Sequence, residues 1–135
     1  MTQPVIYVST FKIKEGKFEQ YQRFFAELLK SVEASKPQLI ALHAFANEGG
    51  TEITSVNVHP DAASMEYHMQ VLAEKMGLLA DDLTQIFQFM EPVRIEVYGN
   101  PGDRATEMDK PLMESGVPFT FKSRYVGGYT RLSVT

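Results

Sequence analysis

The apolar residues of this chain switch spacing along its length, from every second residue to every third or fourth and back. That order of spacings limits its fold more than any other feature. Val5 to Phe11 is rich in β-branched and aromatic side chains, and Lys12, Lys14, Glu15 and Gly16 break the run, which predicts a first strand. From Lys17 onward Phe18, Tyr21, Phe24, Phe25, Leu28, Leu29 and Val32 recur as one helix face, with Pro37 as the stop after about Ser35. Gln38 to Ala46 and Thr51 to Val58 predict two strands, joined by a hairpin at Glu48-Gly49-Gly50. Asp61 is placed to cap a second helix, in which Ala62, Met65, Met69, Leu72 and Met76 keep helical spacing up to Gly77. Leu79 to Met90 carries a further short helical period that Pro92 ends. Val93 to Tyr98 then alternates as a strand with one buried face.

The resulting β, α, β, β, α, short α, β order is the split βαβ pattern. It implies an α+β, ferredoxin-like βαββαβ domain with its helices on one face of a four-stranded antiparallel sheet. At 135 residues one core is expected. Residues 1–100 are read as that domain and 101–135 as a linker with a C-terminal hairpin extension. Pro101 to Ser115 is rich in charge, Pro and Gly, and Gly127-Gly128 offers a tight turn between Phe119–Tyr125 and Tyr129–Leu132.

A net charge of -4 and an isoelectric point near 5.4 supply no field for a phosphate backbone, so nucleic acid is not expected as a partner. The absence of cysteine excludes disulfides, thiolate nucleophiles and Cys-ligated metal centres. No stretch approaches the ~20 apolar residues that cross a bilayer, and no basic segment precedes the first apolar run, so the expected place of action is the cytoplasm, away from the membrane. The three histidines lie on separate elements without ligand spacing, and no metal is expected.

Both faces of the predicted sheet are apolar in part. Ile6, Val8, Ile40, Leu42, Val56 and Val58 alternate with Tyr7, Ser9, Leu39, Ala41, His43 and Asn57. Helices cover one face, and at ~25 cal/mol per Å² the other needs a cover too. A homodimer is the expected remedy.

With these elements placed, Met1 to Pro101 resembles the antibiotic biosynthesis monooxygenase family. Four stretches carry the likeness: Phe11-Lys12-Ile13-Lys14-Glu15-Gly16-Lys17 before the long helix, Ser55-Val56-Asn57-Val58-His59 leading into Pro60-Asp61-Ala62-Ala63, His68 on the second helix, and Glu91-Pro92-Val93-Arg94-Ile95-Glu96-Val97-Tyr98. The resemblance implies a dimeric α+β barrel built from ferredoxin-like subunits. It also implies activities that include cofactor-free oxygenation of aromatic polyketides and haem degradation. Relatives that degrade haem place an Asn on the first strand, a Trp on the second helix and an axial His later on that helix. This chain has Ser9, His68 and the segment Met76 to Leu78 at those places and no Trp, so haem, or any other cofactor, is not expected.

His68 falls beside the stripe of Met65, Leu72 and Met76, at the rim of a cleft between helix and sheet. An imidazole there can take a proton near neutral pH and leave an electron-rich substrate anion. The plain alternative is a helix-flank His bonded to a carbonyl or to solvent. Tyr7 and Ser9 share one strand face, which the resemblance turns toward the cleft, where they can orient a polar substrate. A strand Tyr with its hydroxyl at the edge of the core is the alternative. Asn57 needs a partner if buried, either a ligand or a structural hydrogen bond. His43 is a further candidate contact, with a neutral core histidine as its other reading, and His59 reads as a solvent-facing turn residue.

The function expected is that of a cofactor-independent monooxygenase acting on a small apolar, aromatic or quinol-type molecule, with His68 as base and Tyr7, Ser9, Asn57 and His43 around the substrate. The alternatives are a dimeric binding domain without turnover and a stress-related or structural protein whose cleft is filled by its own side chains.

Overall fold

A computed structural model of the chain describes residues 3–34, 39–75 and 88–131. Along these, β1 (Val5–Ile13), α1 (Phe18–Ala34), β2 (Ala41–Ala46), β3 (Glu52–His59), α2 (Ala62–Lys75), β4 (Met90–Tyr98), α3 (Asp103–Glu114) and β5 (Phe119–Lys122) follow one another. The fold is α+β, as the alternating periods predicted. Strands β1 to β4 lie in the antiparallel order β2-β3-β1-β4, and β5 joins β4 in parallel to make a five-stranded mixed sheet.

Three expectations are corrected in the second half of the chain. Within Pro101 to Ser115, Asp103–Glu114 is a helix packed on the sheet rather than a linker, because Ala105, Met108, Asp109 and Leu112 recur every three or four residues and turn inward. The C-terminal hairpin is a single strand, β5, and residues 123–131 form no strand beside it. Neither Gly127 nor Gly128 takes the positive φ that a tight hairpin requires. The sheet therefore has five strands instead of four. A parallel neighbour for β4 needs a crossover, and α3 supplies it. The expected helix over Leu79 to Met90 falls mostly outside the described residues, and Met90 itself opens β4.

Register fixes which side chains meet. Tyr7 stands directly across from Asn57, Val5 from His59, and Leu42 from Asn57 on the far side, so these residues share the helix-covered face. The opposite face carries Ile6, Val8, Val56 and Val58, with Ala41, His43 and Phe45 of β2 beside them. The register between β1 and β4 shifts after Thr10, where Phe11 faces Pro92 and Val93 is the extra residue. Pro92 is tolerated because β5 pairs only with Ile95 to Tyr98, leaving that end of β4 without a neighbour to receive an N–H.

The core divides along the sheet. Ile13, Tyr21, Ile53, Phe89 and Met90 form one cluster, joined by Phe24 and Phe25 of α1, with Tyr21 and Phe25 stacked at 6.0 Å. Val5, Tyr7, Met65, Ile95, Val97 and Ala105 form the other beneath α2 and α3. Gly99 permits the turn out of β4: its φ is 91°, and a Cβ there would lie 2.5 Å from the carbonyl oxygen of Pro4. Among the described residues no helix is long and apolar enough to cross a membrane.

Candidate functional site

The second core cluster is bordered by polar side chains that the strand register and α2 bring together. Alternation along β3 sends Ile53, Ser55, Asn57 and His59 to the helix-covered face. On α2, Ser64, Met65 and His68 are buried at helical spacing. Asp61 caps this helix as its position predicted, its Oδ1 accepting the N–H of Ser64 at 2.8 Å. Capping fixes where α2 begins, and hence that Ser64 and His68 turn toward β3.

His59 is 0% exposed and His68 3%, with ring centroids 5.1 Å apart and planes tilted by 54°. Nδ1 of His59 is hydrogen-bonded to Oγ of Ser64 at 2.9 Å. Burial, and secondarily the neighbouring His68, pulls the pKa of His59 down to about 3, and burial pulls His68 down to about 4. Both rings are therefore neutral near pH 7, each carrying one N–H donor and one acceptor nitrogen. Among the described residues, Nε2 of His59, Nδ1 of His68 and Oδ1 of Asn57 are buried without a hydrogen-bond partner. A buried polar atom left unpaired costs about 1–3 kcal/mol, so three in one region are a substantial local penalty.

On the α3 side, the Tyr7 hydroxyl donates to Oδ2 of Asp109 at 2.7 Å, a bond between residues 102 apart in sequence. Both residues are 4% exposed. Desolvation raises the Asp109 carboxyl to about 6, against the opposing pull of the Tyr7 hydrogen bond. Burial, then the Asp109 charge and bond, pushes Tyr7 far above the ordinary phenol range. Among the described residues no Lys, Arg or His forms an ion pair with Asp109, and no three His, Asp or Glu side chains gather in a way that could hold a metal ion.

Four of the residues singled out in the sequence thus border one buried region: Tyr7, Ser9, Asn57 and His68. His68 lies deeper than the rim position expected of it. Ser9 is on the same face as Tyr7, opposite Ser55 on β3 and Ile95 on β4. His43 is not with them. The β2 register puts it on the other face of the sheet, exposed, with its ring 6.3 Å from that of Phe45, and this corrects its reading as a core histidine. His59 is corrected in the opposite sense, from a solvent-facing turn residue to a wholly buried one. Asp109 was missed, because its helix was read as linker.

No family profile matches the chain, and no curated protein does. Solved structures do. MupZ from Pseudomonas fluorescens aligns over 99% of both chains at 21% identity with a TM-score of 0.68. SnoaB, a cofactor-independent oxygenase from Streptomyces nogalater, aligns over 74% of this chain and 95% of its own at 14% identity, TM-score 0.55. A proposed antibiotic biosynthesis monooxygenase from Bacteroides thetaiotaomicron aligns over 70% of this chain and 85% of its own at 15% identity, TM-score 0.54. The chain has the antibiotic biosynthesis monooxygenase fold. At these identities the likeness concerns the backbone, and chemistry must be argued from the side chains of this monooxygenase fold as they stand here. In this example of the fold they comprise a neutral histidine pair, an amide whose carbonyl oxygen has no partner among the described residues, and a phenol bonded to a carboxylate.

Proposed function

We propose that the protein is a cofactor-independent oxygenase of electron-rich aromatic or quinol-type substrates, working by proton removal among Tyr7, Ser9, Asn57 and His68. The observation that carries this reading is the set of buried polar atoms on Asn57, His59 and His68 that have no partner among the described residues, set beside a phenol–carboxylate pair in an apolar core. The amide oxygen can accept the O–H of a planar guest, and an imidazole N–H can donate to the oxygen of the anion it becomes. An electron-rich anion can pass an electron to dioxygen, and the protein then has only to bind, deprotonate and shield it. That the oxygenase SnoaB shares the fold supports this choice of reaction class.

The test is oxygen uptake with a panel of hydroquinones and anthrones, comparing wild type with His68→Ala. Uptake above the uncatalysed rate, reduced at least tenfold by the substitution, is the expected result. Equal rates in the two proteins would take His68 out of the mechanism.

A second reading is a binding domain without turnover. The low proton affinity of His59 and His68 favours it, because neutral imidazoles are good hydrogen-bond partners and weak bases. Calorimetric binding of the same panel without oxygen uptake would select it.

The proposal includes a homodimer. The face of the sheet away from the helices carries half-buried Ile6, Val8, Val56 and Val58, and Phe45 there is 68% exposed. A second copy laid on this face would cover an apolar strip that the described helices do not reach.

A further inference from the structure

We propose that Tyr7 and Asp109 form a proton relay, in which the Tyr7 oxygen takes a proton from the substrate while its own proton passes to Oδ2 of Asp109. The inference rests on the reading above that this cluster binds a proton-donating substrate, and it names the group that receives the proton. In the step, one acidic C–H or enolic O–H bond of the substrate breaks. Its electron pair stays on the substrate as an enolate or phenolate, Tyr7 ends with the proton count it began with, and Asp109 becomes a neutral acid. One negative charge has moved from the carboxylate to the substrate, and no oxidant takes part.

The geometry is that of a relay already assembled. The 2.7 Å bond runs from phenol to carboxylate, so the phenolic oxygen has lone pairs available for a second hydrogen. Tyr7 faces Asn57 directly across the β1–β3 ladder, at the spacing where cross-strand side chains touch, and the free Oδ1 of Asn57 lies in the same buried region. A phenol needing only a structural acceptor would be satisfied by an amide. Here the acceptor is a buried carboxylate with no ion-paired cation among the described residues, an arrangement that lowers stability and is found where proton chemistry is done.

The surroundings of Asp109 leave its proton affinity to burial and to Tyr7. Besides Tyr7 on β1, α2 presents the Glu66 carboxylate at the Gly102 end of α3, and His68 with its neighbour His59 further along. On α3 itself Lys110 is engaged with Glu107. The nearby strand positions Ile95 and Val97 of β4 and Phe119 of β5 are apolar. With burial raising its pKa to about 6, Asp109 is ionised near pH 7 and takes a proton more readily than His68, which burial holds at about 4. Proton affinity close to the working pH is what a general base needs. On this division the neutral His68 donates its N–H to the anion rather than taking the proton.

Two measurements test the relay on the intact protein. Anaerobic exchange of the acidic C–H of anthrone in D2O, followed by proton NMR, reads proton removal alone, and oxygen uptake reads the whole reaction. The expected result is catalysed exchange by wild type with a rate that falls below pH 6, and at least a hundredfold loss in Tyr7→Phe and in Asp109→Asn, with the pH-6 limb gone in Asp109→Asn. A role for Asp109 in packing alone would leave that limb in place. Exchange by wild type without oxygen uptake would uphold the relay and overturn the oxygenase reading. Uptake and exchange that survive both substitutions would overturn the relay and leave the oxygenase reading intact. Absence of exchange in the wild type would overturn the relay outright.

Discussion

At the scale of single residues, the buried histidines and the buried carboxylate pull stability in opposite directions as pH changes. The pKa values of His59 and His68 are lowered by folding, so the stability they contribute is present above about pH 6.5 and is lost as pH falls toward 4 and 3. Asp109 is raised, so its contribution is complete below about pH 4 and is lost as pH rises through about 6. Between pH 7 and pH 4 each imidazole forfeits about 3 kcal/mol and the carboxylate returns about 2. Net acid lability is therefore expected, and thermal denaturation followed by circular dichroism across this range will show a falling melting temperature. A rising one would contradict the neutral, buried state of the histidines. Tyr7→Phe removes the donor from an ionised carboxylate and should destabilise by about 2–3 kcal/mol at pH 7, less at pH 4, where Asp109 is protonated. Asp109→Asn keeps an acceptor for the phenol without the charge, and its melting temperature at pH 7 should match or exceed that of wild type.

At the scale of elements, the turn from β4 into α3 depends on a residue without a side chain. Gly99→Ala combines a positive φ with a clash against the backbone of Pro4 and should lower stability by about 2 kcal/mol or more, measurable by urea denaturation. The elements of the βαββαβ core were legible because their apolar periods are regular: of the face expected for α1, Phe18, Tyr21, Phe24, Phe25 and Leu28 are buried or half-buried while Leu29 is exposed, and the cap by Asp61 is where its position placed it. The third helix was hidden by its chemistry. Asp103, Arg104, Glu107, Lys110 and Glu114 give it a charged outer face, Pro111 stands inside it, and one of its inward positions is the acidic Asp109. A spacing of Ala105, Met108, Asp109 and Leu112 was the available signal, masked because a carboxylate is counted as polar when periods are read. His59 was legible in principle, since it continues the alternation of Ile53, Ser55 and Asn57. The face taken by His43 was not, because it depends on the register of the β2–β3 hairpin, and a shift of one residue reverses it.

At the scale of the whole molecule, the helices among the described residues lie on one face of the sheet and leave the other face bare of them. The homodimer proposed for the latter makes Phe45→Glu a direct test: sedimentation equilibrium should find monomer where wild type is a dimer, and an unchanged dimer would place the interface elsewhere. The partition of the core into two clusters bears on where chemistry can reside. The Tyr21, Phe24, Phe25 and Phe89 end is aromatic packing, whereas the Val5 end is crossed by polar groups from β1, β3, α2 and α3. The carboxylate of that end arrives from a helix more than 100 residues after the phenol it accepts from. On a ribosome, β1 to β4 can thus pair and collapse while residues 103–114 are still in the exit tunnel, leaving a nascent sheet with its phenol but no acceptor. Until that helix has left the tunnel and docked, the phenol lacks its carboxylate, so the proposed relay is one of the last features of the molecule to be completed.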